Sequence, residues 1–380
     1  MRKILYISGT RADYGLMQST LQSVRNNSKL TLEILATGMH LMEEFGSTIK
    51  EINKDGFIHH TIEARYERDD RSSMVEFIGL LLQALPTKIK EINPDIILLL
   101  GDRGEMLAGA ITGVYLGIPV AHIHGGEVSS TVDDFTRHAI TKFAHIHFPA
   151  TKLSAQRILK MGELQEFIFI TGAPGLDSIL HEKLIEPEDI AHKYGLDISQ
   201  PIIIVIQHPV SIEVEHAQDQ MKETLEAIVD LKFQTLVLYP NSDAGGRKII
   251  DVIKSYESNS NIYTYKNIPR KEYLSLLNIA SVLVGNSSSG IIESSSFKLP
   301  VVNIGTRQAG RERADNVIDA DYERGDIKGK ILKCLYDQDF KEKVKSCHNP
   351  YGDGKAGEKI ATILSSIDIT EKLLQKRLSY

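Results

Sequence analysis

A chain of 380 residues exceeds what one hydrophobic core usually organises, so two domains with a cleft between them are expected. Its 42% hydrophobic and 25% charged residues are ordinary for a globular protein, and a net charge of −6 excludes any general attraction to nucleic acid or an anionic membrane. Only Cys334 and Cys347 are present and neither belongs to a CxxC pair, which excludes a disulfide framework or zinc ribbon and fits a reducing compartment.

The chain starts MRKILYIS and reaches Gly9, Thr10 and Arg11 at once, too short an apolar run for a signal peptide or membrane span, so a cytoplasmic protein is expected. Strands are predicted at Lys3 to Ser8, Leu30 to Ala36, Asp95 to Leu100, Pro119 to His124 and Phe167 to Ile170. Near-continuous apolar runs separated by helix-like stretches indicate a parallel sheet covered on both faces. Between Ala173 and Gln200 the pattern breaks at Gly172, Pro174 and Gly175 before a charged helical stretch from Glu182 to Tyr194. It restarts at Pro201 to Gln207 and continues with Thr235 to Tyr239, Asn261 to Tyr265, Ser281 to Val284 and Pro300 to Ile304. Helices at Glu358 to Leu364 and Ile369 to Arg377 close the chain.

The fold class is therefore α/β, with two doubly wound, Rossmann-like parallel-sheet domains facing a cleft. Residues 1–175 form the first and 176–364 the second, with 365–380 returning to pack on the first. No low-complexity tract or short repeat points to a solenoid or a disordered scaffold.

In open parallel sheets ligands bind at the carboxyl ends of strands. There the first sheet delivers Gly9-Thr10-Arg11-Ala12-Asp13-Tyr14-Gly15, Gly101-Asp102-Arg103-Gly104-Glu105 and His122-Ile123-His124-Gly125-Gly126-Glu127. Helix capping accounts for roughly half of such Asp and Gly residues in α/β proteins, but not for the arginines beside them. The second sheet delivers Gln207-His208-Pro209-Val210, Pro240-Asn241-Ser242-Asp243-Ala244-Gly245 and Gly285-Asn286-Ser287-Ser288-Ser289-Gly290. The last of these is expected to open a helix whose amides, hydroxyls and dipole suit a diphosphate, with Glu293 further along as an acceptor for ribose hydroxyls. Taken alone, Gly-Asn-Ser is also an ordinary helix cap. Neither GxGxxG nor GxxxxGK[ST] occurs, which lowers dehydrogenase and ATPase readings.

The ordered set GTRADYG, GDR, HGGE, TVDD followed by RHAITK, QHPV, PNSDAG, GNSSSG, GTRQAGR and YGDG resembles the hydrolysing UDP-N-acetylglucosamine 2-epimerase family from Met1 to about Gly354. The resemblance implies a two-domain fold shared with GT-B glycosyltransferases and a product of the N-acetylmannosamine type for sialic or legionaminic acid synthesis. It also implies no metal or redox cofactor, a sugar-nucleotide substrate and a homo-oligomer. By the same resemblance Arg11 and Arg103 face the diphosphate or sugar, and His208, Asn241, Gly285, Ser287, Ser288 and Glu293 hold the nucleotide. Asp102 and Asp133 match catalytic carboxylates; Arg137 lies one helical turn beyond Asp133, and Arg307 and Arg311 close on the phosphates. For Arg311 an ordinary surface position is equally reasonable.

Related enzymes, including the animal form, carry HIEGG where this chain has HIHGG, so His124 stands in place of a glutamate. Either His124 transfers protons or it only orients substrate, and Glu127 is the other candidate for the missing carboxylate. The expected catalytic set is thus Asp102, Asp133, His124, Glu127 and His208. The HIHGG form also resembles the legionaminic acid branch, whose substrate is UDP-N,N'-diacetylbacillosamine; UDP-N-acetylglucosamine is placed first and this substrate second.

The chemistry implied is elimination. Loss of the nucleotide from C1 lets a modest base take the C2 proton, and water then adds to the resulting 2-acetamidoglycal with C2 inverted. Arg11, Arg103, His208, Arg307 and the Ser287 turn would stabilise the leaving group. Rival readings are a GT-B glycosyltransferase, a non-catalytic sugar-nucleotide sensor, and a metal-dependent hydrolase built on His122/His124, His145/His147 and Asp133-Asp134.

Overall fold

The computed structural model describes residues 1–68, 70–128, 132–181, 183–210 and 212–377. Thr131 of the TVDD motif, Glu182 at the start of the expected charged helix, and residues 378–380 of the expected terminal segment lie outside them.

The described residues form two six-stranded sheets. The first contains β1 (Arg2–Ser8), β2 (Leu30–Ala36), β3 (His59–Thr61), β4 (Ile96–Leu100), β5 (Val120–Ile123) and β6 (Ile146–Phe148), in the order β3-β2-β1-β4-β5-β6. The second contains β7 (Ile202–Ile206), β8 (Gln234–Leu238), β9 (Ile262–Tyr265), β10 (Val282–Gly285), β11 (Val301–Ile304) and β12 (Val317–Ala320), in the order β12-β11-β10-β7-β8-β9. All ladders are parallel, for example Tyr6 opposite Ile34 and Leu98, and Val205 opposite Val284 and Val237. Each sheet is thus doubly wound with its strand order reversing beside its first strand, where a crevice opens at the carboxyl ends.

Central strands such as β4, IILLL, are buried along their whole length because helices cover both faces. Among the described residues, four large apolar clusters result, two on each sheet, with a small fifth of Ala155, Ile158 and Ile168. Ile250 and the partly buried Tyr239, both from the second half of the chain, join the cluster of Phe45, Phe77 and Leu99, so apolar packing continues from one half into the other.

Three strands escape the apolar pattern: β3 (HHT), β6 (IHF) and β12 (VIDA). Each lies at the edge of a sheet and has only three or four residues. The strand expected at Phe167 to Ile170 is not formed. Gln165–Phe167 is a 3-10 turn, and only Ile168 bridges to His147 of β6, which is the edge strand here. The helix ending at Tyr194 starts at Pro187, whose ring suits a first turn and breaks any helix running into it.

Two devices tie the chain's ends to the first sheet. The helix Ala356–Ser366 packs on helix Arg11–Asn26, placing Ile360 and Leu364 in one core with Met17 and Leu21. Burying each such side chain contributes about 1.5–3 kcal/mol. Its first turn is capped from afar, since the Asp177 carboxylate accepts the amides of Ala356 at 2.9 Å and Gly357 at 2.6 Å. The return to the first core therefore begins at Ala356.

Candidate active site

The carboxyl ends of both sheets open on one cleft of about 650 Å³, a size that suits a nucleotide sugar. Of the residues singled out by sequence, Arg11, Asp102, Arg103, His124, Asp133, Arg137, His208, Asn241, Ser287, Ser288, Glu293 and Arg307 line it. Glu127 and Gly285 do not.

The turn after β1 is fixed by Asp13. Its carboxylate accepts the amides of Gly9 (3.1 Å) and Thr10 (2.7 Å) and the hydroxyls of Thr10, Tyr6 and Ser8, while the Thr10 hydroxyl accepts the Asp13 amide. This reciprocal cap starts helix Arg11–Asn26 and holds Arg11 at the cleft. Burial lowers the pKa of the Arg11 guanidinium, and its Nη1 is buried without a hydrogen-bond partner. An unsatisfied charged donor of this kind costs more than about 1–3 kcal/mol, which an incoming phosphate oxygen would offset.

On the first-sheet side, Arg137 organises the acids. Fully buried on helix Val132–Phe143, it pairs with Asp102 through Nη2 and with Asp134 at 2.5 Å through Nη1, which also donates to the Glu127 carbonyl at 3.0 Å. Burial pushes the Asp102 carboxyl up, but Arg137, Arg311 and Arg307 outweigh it and hold it below the ordinary value. Arg137, placed among the substrate-binding residues by the sequence reading, thus also orients the catalytic candidate Asp102.

His124 takes a left-handed backbone (φ 65°), unusual for a residue with a Cβ, which turns its side chain out of the strand periodicity of β5. Its Nδ1 lies 2.7 Å from Glu127 Oε1, and Glu127 Oε2 lies 2.7 Å from Arg311. Burial raises the Glu127 carboxyl, yet Arg311, His124 and Arg137 bring it far below its usual range. Glu127 therefore stands behind His124 as an ionised group and does not line the cleft. The Arg311 side chain is only 8% exposed and pairs with Glu127, so the surface position allowed by the sequence is corrected.

Across the cleft, Arg307 bridges the two halves: Nη2 lies 3.4 Å from Asp133 and Nη1 donates to the Asn286 carbonyl at 3.2 Å. Asn286 clamps the His208 backbone through its side chain, accepting from N at 2.7 Å and donating to O at 2.9 Å. Gly285 is excluded from the cleft by its structural role: at φ 126°, a Cβ there would sit 2.1 Å from the Ile206 carbonyl.

Three expected roles change. His208 Nδ1 accepts the Asn241 amide at 3.1 Å, and burial together with Arg307 and Arg103 holds its pKa well below the ordinary value. It is a neutral donor through Nε2, not a cation for the diphosphate. Arg103 lines the cleft but is already compensated by Asp243 (3.3 Å) and Glu105 (3.3 Å), with Tyr66 and Ser242 as further acceptors. It ties the two sheets together. Finally, the helix after Ser287 spans only Ser289–Ile292, so its dipole is small and the turn offers an anion mainly its hydroxyls and amides.

Sequence reasoning missed Arg270, which pairs with Glu293 and donates to the Gly175 carbonyl at 3.0 Å, and Tyr273, 2.6 Å from the Ser289 hydroxyl. Both follow β9, whose carboxyl end belongs to neither motif set. Asp243 was visible within PNSDAG but not selected.

The histidine pairs are otherwise engaged. His122 contacts the Gly101 carbonyl (2.7 Å) and Thr141 hydroxyl (3.2 Å), His145 accepts the Val120 amide, and His147 faces Glu163. Among the described residues no three His, Cys, Asp or Glu side chains gather as a metal site. Among the same residues no helix is long and apolar enough to cross a membrane.

Residues 22–365 match the family described as UDP-N-acetylglucosamine 2-epimerase. The chain is 43% identical over 381 residues to the UDP-N,N'-diacetylbacillosamine 2-epimerase (hydrolyzing) of Legionella pneumophila, covering 100% of both. It is 35% identical over 328 residues to a UDP-N-acetylglucosamine 2-epimerase of Neisseria meningitidis, covering 86% of each. The fold matches the crystal structure of UDP-GlcNAc 2-epimerase from Neisseria meningitidis bound to UDP-GlcNAc. The TM-score is 0.81 at 19% identity, over 95% of this chain and 99% of that one.

Proposed function

The chain belongs to the UDP-N-acetylglucosamine 2-epimerase family, and from that premise we propose that it is a hydrolysing 2-epimerase whose preferred substrate is UDP-N,N'-diacetylbacillosamine. The observation that carries the reaction class is the Arg307 bridge, which sets acid groups of the first sheet beside the phosphate-binding turn of the second.

The nucleotide lies against Ser287, Ser288 and Glu293, with the diphosphate taken by Arg11 and Arg307 and by the neutral His208 N–H. The C1–O bond breaks with its electron pair leaving on UDP. Ionised Asp102 takes the C2 proton, and the 2-acetamidoglycal forms. Water then adds its oxygen to C1 and gives up a proton to Asp133, while a proton returns to C2 from the opposite face; exchange with solvent afterwards restores the donor and both carboxylates. His124, oriented by Glu127, is the group for this second transfer, and Asp133 assists once Arg307 turns to the phosphate. Positioned proton transfer of this type contributes about 10²–10⁴ in rate. Residues 1–175 and 176–355 form the halves that close on the substrate, the chain from Ala356 onward packing on the first.

Sequence alone favours UDP-N-acetylglucosamine. The cleft favours the less polar sugar, because Met39, Phe45, Met74, Phe77 and Ile78 line it and Ile78 packs on Gly104, two residues from Asp102. Such a wall suits the methyl groups of a 4-acetamido-6-deoxy sugar better than free hydroxyls. The relative of Legionella pneumophila adds support.

The test is incubation with each UDP sugar in heavy water without acceptor, followed by mass spectrometry and NMR. Released UDP and one deuterium at an inverted C2 are expected, with the higher kcat/KM for the diacetylated sugar. Protium retained at C2, or UDP release only with an added acceptor, overturns the reaction; a higher kcat/KM for UDP-N-acetylglucosamine overturns the substrate choice.

A further inference from the structure

Outside the cleft, a polar cluster centred on a buried carboxylate lies where the end of helix Val132–Phe143 meets β6 and the C-terminal segment. Glu163 is its centre: Lys142 reaches Oε1 at 2.6 Å, while Lys376 at 3.0 Å and His147 at 3.2 Å share Oε2. The Lys376 ammonium also donates to the main-chain carbonyls of Thr141 (3.0 Å), Lys142 and Ala144 (2.5 Å). Thr141 and Lys142 belong to the last turn, whose carbonyls a helix leaves without partners, and Ala144 follows it directly; a cation there also opposes the negative end of the helix dipole. Lys376 adopts a left-handed backbone (φ 37°), costly for lysine, and Leu373 of the same segment is buried in the core with Ile146 and Phe148.

The helix so anchored begins with Asp133 and Asp134 and carries Arg137, the partner of Asp102. A second path runs from the same turn to the site. The Thr141 hydroxyl contacts His122 Nδ1 at 3.2 Å, and His122 Nε2 contacts the carbonyl of Gly101, the residue before Asp102, at 2.7 Å. Gly125 packs on this joint, where a Cβ would lie 3.0 Å from both the His122 ring and the Thr141 hydroxyl.

We propose that Lys376 is a positioning residue for catalysis: seated in the last-turn carbonyls and on Glu163, it fixes the far end of the helix whose near end sets Asp133, Arg137 and, through them, Asp102. It touches no substrate. The proposal rests on the epimerase reading for its kinetic consequence and on the anchoring contacts for its structural one, so the two are tested separately.

Lys376→Ala and Lys376→Met are compared with the parent. With the helix end released, kcat should fall about 10- to 100-fold, the scale of a small misplacement of reacting groups, while KM stays within about two-fold because the nucleotide is held by the second sheet. Amide exchange should rise in residues 137–144 and not in β7 or β10. Propylammonium, which replaces the deleted atoms, should restore kcat in Lys376→Ala but not in Lys376→Met, where the slot is filled; tetramethylammonium at equal ionic strength should restore neither. A kcat within about two-fold of the parent in both variants overturns the proposal, as does unchanged exchange in residues 137–144. Should Lys376→Ala not fold, Lys376→Met carries the same kinetic and exchange criteria. A parent without turnover on either UDP sugar refutes the epimerase reading instead, and the exchange measurement then decides the anchoring on its own.

Discussion

Replacing Asp102 by Asn keeps the side-chain volume and one oxygen acceptor while removing the negative charge and the proton-accepting function. In the fold that carboxylate is ionised, held by Arg137 with help from Arg311 and Arg307, and about a quarter of its side-chain surface faces the cleft. Arg137 keeps Asp134 at 2.5 Å and the Asn oxygen as acceptors, so it is not stripped of partners. The stability cost should therefore be about 1–3 kcal/mol, below the ~3–5 kcal/mol of leaving a buried charge alone. Catalysis should suffer more. Losing a positioned base lowers kcat by about 10²–10⁴, or ~2.7–5.5 kcal/mol in the barrier. Affinity for UDP should stay within about three-fold, since its expected contacts lie on Ser287, Ser288, Glu293, Arg11, Arg307 and His208 and not on Asp102. The assay is chromatographic release of UDP from the sugar nucleotide, paired with calorimetric titration of UDP and urea unfolding. A kcat within about three-fold of the parent, with the fold intact, refutes the assignment of Asp102 as base.

Glu127→Gln removes the anion between His124 and Arg311; kcat should drop about ten-fold or more with KM nearly constant, and unfolding should cost about 3 kcal/mol less because Arg311 loses its buried partner. A rise in KM at unchanged kcat would instead make Glu127 a substrate contact. Gly9→Ala brings a Cβ to 2.2 Å from Glu105 Oε1, and fully buried Glu105 has nowhere to move. Urea titration should show a loss of about 1–3 kcal/mol, and calorimetry weaker UDP binding as the Arg11 turn shifts; parent-like values in both would refute the close packing inferred there. Burial lowers His40 and His145 to about 4 and His122 to about 3. The unfolded chain takes up these protons near pH ~6.5 while the fold does not, so stability is complete above that pH and declines on acidification toward ~4, by up to about 1.4 kcal/mol per pH unit for each histidine. Unfolding free energies that are flat between pH 7 and 5 contradict this.

The sequence by itself determined the doubly wound class, because central parallel strands such as IILLL at 96–100 are buried on both faces and must be apolar throughout. It also marked the turns that carry chemistry, since polar residues at the ends of such strands stand out by contrast and recur in the order the family shares. Edge strands HHT, IHF and VIDA stayed hidden because they are short and buried differently. Tertiary structure alone decided which charges meet. Asp102 and Arg137 are 35 residues apart, Glu127 and Arg311 are 184 apart, and Lys376 crosses 213 residues to reach Glu163. It also set His124 against Glu127, through a left-handed φ that no periodicity encodes. Apolar patterning records which face of an element is covered, whereas the partner of a buried ion is set by how the two sheets and the returning terminal helices come together.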